Sequence, residues 1–199
     1  MPKPITVRGR SRWPWPMMAA LSLLATATAA RADGLLDQVW VGEAAHDYTN
    51  IGNRKESGTA DSLIELDSVR PHALRFLGAP RLNLTVALNS RGESNTGAVG
   101  FVWDHQLIGR LYGTADLGVG LTDGVTAPPN GPLHDQVRDH RLLLGSKILF
   151  REALGLDWRV SRRWAVGVVV SHFSNGSILS HGYNEGVNDV GVRIGYRFR

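Results

Sequence analysis

The feature that most constrains the fold of this chain is a two-residue alternation of apolar and polar side chains. Alternate residues of a β-strand point to the same face, so such a segment has one face of each kind. Between residues 81 and 89 one face would hold only leucine and valine, namely Leu82, Leu84, Val86 and Leu88. The other face would be mostly polar, with Arg81, Asn83, Thr85 and Asn89. The pattern predicts strands, each with one apolar face.

Further segments with strand character bring the predicted number of strands to eight. They cover residues 36–48, 61–70, 81–89, 97–107, 110–122, 141–160, 163–174 and 187–198. Glycine and small polar residues separate them, as expected for turns and loops. An even number of consecutive strands is typical of a closed antiparallel meander.

The polar faces contain charges and glycine, which decides between two kinds of barrel. A soluble barrel turns its apolar face inward, whereas a small membrane barrel turns that face to lipid and fills its lumen with polar side chains. We therefore predict an all-β fold, an eight-stranded antiparallel transmembrane β-barrel of the bacterial outer membrane. A secreted lipocalin-like barrel is the alternative. In the membrane barrel we expect Arg110 to pair with Asp116, and Asp189 with Arg193, inside the lumen.

Residues 1–32 have the composition of a secretory signal peptide. Basic residues come first, a short apolar run follows from Met17 to Ala30, and Ala30-Arg31-Ala32 provides a cleavage site. We predict that residues 33–199 form the barrel domain. The signal segment contains five of the 22 Lys and Arg residues and none of the 18 Asp and Glu residues, which leaves a net charge of −1 on the mature part. That balance gives no reason to expect a nucleic-acid partner.

The sequence also limits the chemistry that the protein can use. It contains no cysteine, so thiolate ligands and disulfides are excluded. The histidines of the predicted loops, such as His134 and His140, lack the tight spacing of metal ligands. We expect neither a metal nor another cofactor.

Loop lengths predict how the barrel is oriented. In outer-membrane barrels short turns lie on the periplasmic side and longer loops outside. The connections at 108–109 and 161–162 are short, whereas those at 50–60, 123–140 and 175–186 are long and rich in Gly, Pro and Asn. The seventh strand then runs outward and ends at the level of the outer leaflet.

The seventh strand ends in a pair of residues with catalytic potential. Its apolar face carries Trp164, Val166, Val168 and Val170, and then His172 and Ser174. A base and a hydroxyl nucleophile on a lipid-facing wall favour a lipid as substrate. The plainer interpretation is that both residues belong to the polar rim where the strand leaves the membrane.

Residues 142–198 resemble the lipid A 3-O-deacylase (PagL) family of outer-membrane esterases. The matching segments are Leu144-Gly145-Ser146-Lys147 with Phe150, His172-Phe173-Ser174-Asn175-Gly176, Asn184-Glu185-Gly186 and Gly195-Tyr196-Arg197-Phe198. The resemblance implies an eight-stranded barrel that removes the ester-linked 3-O acyl chain of lipid A in lipopolysaccharide, with lipid A of the outer leaflet as its partner. Whether the protein forms a homodimer is left open by the sequence.

The resemblance also implies roles for individual residues. Ser174 would attack the ester and His172 would act as its general base, while Asn175 and Asn184 would support the oxyanion or position the loop. The family's acidic residue falls at Asn188, which is not an acid. Asn188 and Glu185 are therefore competing candidates for the third member of the site.

Two other functions remain open at this stage. A small barrel without catalytic activity could serve adhesion or membrane integrity. A barrel phospholipase also uses a lipid-facing serine and histidine, although such enzymes usually have larger barrels.

Overall fold

The protein forms a closed barrel of eight antiparallel strands, in a computed structural model that describes residues 34–48, 54–180 and 182–198. The predicted signal peptide lies outside these residues. The strands are β1 (Leu36–Ala45), β2 (Ala60–Ser68), β3 (Arg81–Asn89), β4 (Thr96–Ile108), β5 (Leu111–Thr122), β6 (Ile148–Arg159), β7 (Trp164–Ser174) and β8 (Val187–Arg197). Each strand pairs with the next, and β8 pairs with β1 to close the barrel. The predicted fold class is confirmed.

The two ends of the barrel differ in their connections. One end, called here the loop end, carries the described residues 46–48, 54–59, 90–95, 123–147, 175–180 and 182–186. The opposite end, called here the turn end, carries the short connections at 109–110 and 160–163. The start of β1 and the end of β8 lie at the same end. A 3-10 helix (His72–Leu77) lies in the β2–β3 connection at the turn end, and a short helix α1 (His134–His140) lies in the long β5–β6 loop.

The outer wall of the barrel is apolar. On β7 the outward residues Trp164, Val166, Val168 and Val170 are all exposed, while the alternate residues Val169, Ser171 and Phe173 are buried. Aliphatic side chains exposed in this continuous arrangement suit contact with lipid. Within the described ranges no helix has the length and apolar character needed to cross a membrane.

Ion pairs fill the lumen, but they differ from those that the sequence suggested. Arg193 binds Glu65 and Asp157, and Asp116 lies 3.5 Å from Arg151. The expected pairs Arg110–Asp116 and Asp189–Arg193 are therefore wrong. Strand register decides the partners, because side chains on different strands meet across the lumen at the same height. A cavity of about 30 Å³, roughly the volume of one water molecule, lies near the turn end of the lumen.

The sixth strand begins seven residues later than predicted, at Ile148 instead of Arg141. The segment before it, Arg141–Gly145, enters the loop end of the barrel as a plug. Leu142, Leu143 and Leu144 are completely buried. Leu142 and Leu144 pack with Phe173. An apolar run is compatible with a strand or with another buried segment. Here the three leucines are buried inside the open end of the barrel, not in a strand.

Candidate active site

His172 and Ser174 lie on the outward face of β7 at the loop end. Ser174 is the last residue of the strand, and His172 precedes it by two positions on the same face. His172 is half-buried, and Ser174 is 9% exposed. The base and the hydroxyl therefore sit together where the apolar wall meets the loops, as the sequence predicted.

Asn188 makes the hydrogen bond to His172. The two residues are directly opposite each other in the β7–β8 pair, and Nδ1 of His172 lies 2.7 Å from Oδ1 of Asn188. An amide oxygen can only accept, so Nδ1 carries the proton and Nε2 presents a lone pair. This is the tautomer that a general base for serine needs.

Gly186 provides space for the imidazole ring. A Cβ atom at this position would lie 2.9 Å from Cε1 of His172, and the residue has a φ of +69°, which side chains rarely adopt. The glycine of the Asn184-Glu185-Gly186 motif therefore allows the loop to pass directly over the histidine.

Asn175 holds the loops together with its side chain. Its Nδ2 donates to the carbonyl oxygens of Leu144 and Tyr183, each at 2.7 Å, and its Oδ1 accepts from the backbone of Ser177. Both amide hydrogens are thus used, and the residue is completely buried. The side-chain amide of Asn175 therefore joins the β5–β6 loop to the β7–β8 loop.

Asn184 lies next to the same strand end. Its Oδ1 accepts the backbone N–H of Asn175 at 2.9 Å, which leaves Nδ2 as the donor side of the amide. Nδ2 makes a longer contact of 3.3 Å with the hydroxyl of Ser177. The amide of Asn184 is thus fixed against the backbone of Asn175, the residue that follows Ser174.

Glu185 is engaged with the plug. Its Oε1 accepts from Lys55 at 2.6 Å, and its Oε2 accepts from the backbone of Leu143 at 2.9 Å. The backbone N–H of Glu185 in turn donates to the carbonyl of Leu143. Of the two candidates for the third member, Asn188 makes the hydrogen bond to His172 and Glu185 anchors the neighbouring loops.

A buried cluster beneath the loops was missed at the sequence level. His46 lies 2.9 Å from Asp61, 3.4 Å from Asp189 and 3.2 Å from Glu56. Burial by itself would lower the pKa of His46, but hydrogen bonds to the three carboxylates outweigh it and raise the pKa to about 12. The surroundings therefore favour the protonated form of His46, which links carboxylates of the β1–β2 loop, β2 and β8. Glu56 and Asp61 are 10 and 15 residues from His46, and Asp189 lies on the last strand, so no short motif reveals the cluster.

Glu56 links this cluster to the plug. Besides His46, it accepts from Nε of Arg141 at 2.7 Å and from the backbone of Leu142 at 3.2 Å. Burial by itself would raise the pKa of Glu56, but the hydrogen bonds from His46 and Arg141 outweigh it and lower the pKa to about 2. The carboxylate stays ionised and fixes the plug behind the candidate active site.

Metal-ligand residue types come together at one place in the described part of the chain. Potential ligand atoms of His46, Asp61 and Asp189 lie within 4.8 Å of one another. The imidazole of His46 lies between these carboxylates, within hydrogen-bonding distance of Asp61 and of Glu56. The arrangement is that of an internal ion-pair network.

Comparison with known proteins places these features in a family. The family model described as lipid A 3-O-deacylase (PagL) matches residues 80–197, more than half of the chain and well beyond the C-terminal motifs. No curated protein matches.

Among solved structures, the crystal structure of the outer membrane enzyme PagL has 14% identity and a TM-score of 0.55, and the match covers 79% of this chain and 97% of that one. A de novo designed transmembrane β-barrel has 14% identity and a TM-score of 0.48, with 82% and 95% coverage. The family match over residues 80–197, carried by a closed eight-stranded barrel, shows that this chain belongs to the lipid A 3-O-deacylase (PagL) family of outer-membrane enzymes.

Proposed function

We propose that the protein is a serine esterase that removes the ester-linked 3-O acyl chain of lipid A. The observation that carries this proposal is the pair His172 and Ser174 on the lipid-facing side of β7, with the imidazole already oriented by Asn188. A site on the outer wall receives its substrate from the bilayer, which suits a lipid rather than a soluble ester.

The proposed steps start from His172 and Ser174 on one face of β7, with the imidazole oriented by Asn188. Ser174 Oγ forms a bond to the ester carbonyl carbon while its proton passes to Nε2 of His172, and the carbonyl electron pair moves to the oxygen. Collapse of this intermediate expels the 3-hydroxyl oxygen of lipid A, which takes the proton from His172. Water, activated by the same histidine, then attacks the acyl-enzyme and releases the fatty acid.

Asn184 is the side-chain donor that we assign to the oxyanion. Its Oδ1 is fixed by the backbone of Asn175, so its Nδ2 is oriented before substrate arrives. A donor that is already in place stabilises the developing negative charge without reorganisation.

A shallow groove below the dyad supports an acylated substrate. It lies on the outer wall across β4 to β7, and small residues on β5, Gly113 and Ala115, form its floor. Leu154 and Val170 border it, and Val170 precedes His172 by two positions on the same face of β7. A hydrocarbon chain lying in this groove would reach the dyad along the apolar residues of β7.

The function is tested on lipid A itself. The protein is expressed in bacteria whose lipid A retains its 3-O acyl chain, and the lipid A is compared by mass spectrometry with that of cells carrying an empty vector. We expect the loss of one 3-O acyl chain. An unchanged spectrum with folded barrel in the outer membrane would contradict the proposal, and fatty-acid release from phospholipid vesicles alone would point to a phospholipase.

Replacement of Asn188 tests the third member of the site. Asn188→Ala removes the acceptor that fixes the imidazole, and we expect kcat to fall roughly 10- to 100-fold because the base is no longer held in one orientation. Initial rates on lipid A in detergent micelles measure this. Glu185→Gln is the comparison, because it keeps an oxygen for Leu143, and its effect should be smaller. The reverse order of the two effects would return the role to Glu185.

A further inference from the structure

A carboxylate lies on the other side of His172. In the β6–β7 pair Glu152 is directly opposite His172, just as Asn188 is opposite it in the β7–β8 pair. Directly opposite residues of antiparallel strands have Cβ atoms about 4.5–5.5 Å apart and share one face of the sheet. His172 is therefore flanked by Asn188, which bonds its ring, on one neighbouring strand and by Glu152 on the other.

Glu152 occupies a position where a charge is unfavourable. It is exposed on the outward face of β6, and the next outward residue toward the turn end, Leu154, belongs to the apolar wall. A charged side chain is costly in the middle of such a wall and less costly near its edge, where Glu152 lies beside His172. Its cross-strand neighbour is the base of the candidate active site.

Glu43 shows that a carboxylate on this wall can have a different purpose. Among the described strands, Glu43 and Glu152 are the carboxylates on the outward face. Glu43 accepts a hydrogen bond of 2.9 Å from Ser62 on the neighbouring strand, at the same end of the barrel. It is thus a matched reference for Glu152, with the same charge and exposure but without a histidine beside it.

We propose that Glu152 is a positioning residue for His172 and supplies the negative charge that stabilises its imidazolium. The inference rests on the proposed esterase function. When Ser174 gives its proton to Nε2, the ring gains a positive charge that the neutral Asn188 cannot balance. Two tasks that one acid performs in the family pattern, orientation and charge, are here divided between Asn188 on β8 and Glu152 on β6.

The test measures kcat and KM of the full-length protein on lipid A in micelles. Glu152→Gln keeps the shape of the side chain and removes its charge. We expect kcat to fall about 10- to 100-fold with KM unchanged, because the imidazolium loses a nearby negative charge in a partly apolar environment. Glu152→Asp should retain most of the activity. Asn188→Glu in the Glu152→Gln background should restore kcat, because it returns a carboxylate to the imidazole.

Glu43→Gln is the control and should leave both constants unchanged. Equal effects of Glu43→Gln and Glu152→Gln, or a Glu152→Gln variant as active as the wild type, would overturn the inference. Failure of Asn188→Glu to raise kcat in the Glu152→Gln background would do the same, provided that the variant shows the gel mobility of a folded barrel. An inactive wild-type protein would overturn the proposed function itself, so the two failures are distinguishable.

Discussion

Ser174→Ala is expected to reduce lipid A deacylation by at least about a thousandfold, to the limit of detection in cells. Alanine removes the only atom that can form the acyl-enzyme and leaves the strand and its pairing intact, since Ser174 ends β7. His172→Asn should have an effect of similar size, because the hydroxyl then has no base. Mass spectra of lipid A from expressing cells and rates on purified lipid A measure both.

Ser171→Ala is the matched control for this experiment. Ser171 lies three residues earlier on the same strand, but its side chain faces the lumen and is buried. We expect wild-type activity, and for all variants the heat-dependent gel mobility of a folded barrel. Continued loss of the 3-O acyl chain in the Ser174→Ala or His172→Asn variant would contradict the serine mechanism.

Arg193→Ala is expected to lower the free energy of unfolding by about 3–5 kcal/mol, the range for breaking a buried ion pair by removing one partner. The guanidinium donates to both oxygens of Asp157, at 3.2 and 2.9 Å, and to Glu65 at 2.8 Å. Its Cζ also lies 4.4 Å from the centre of the Trp40 ring. Without Arg193, two carboxylates remain in the lumen without this countercharge.

Urea unfolding of the purified barrel in detergent, followed by tryptophan fluorescence, measures the loss. Arg162→Ala is the control, because Arg162 is exposed in the short β6–β7 connection, where removal of a charge should change stability by less than about 0.5 kcal/mol. Equal unfolding midpoints for the two variants would show that the lumen tolerates uncompensated carboxylates, contrary to the expectation.

Features that depend on local sequence could be predicted, whereas features that depend on contacts between distant residues could not. The outward position of His172 and Ser174 depends only on the two-residue period of a single strand, so it could be predicted. The start of β6 could not, because Leu142, Leu143 and Leu144 are apolar in either role. Their burial depends on contacts such as Glu56 with Arg141, which are 85 residues apart in the chain.

By itself, the sequence determined the alternation, and with it the closed barrel, its apolar outer wall and the outward-facing dyad. Only the tertiary structure decided which side chains flank His172, because strand register depends on pairing across loops and not on any local pattern. In the tertiary structure Asn188 lies within hydrogen-bonding distance of His172, and Glu185 binds the backbone of the plug. Glu152 lies opposite His172 on the neighbouring strand β6. The tertiary structure also determined the ion pairs in the lumen. Charged side chains there pair with opposite charges that lie at the same height along the barrel axis.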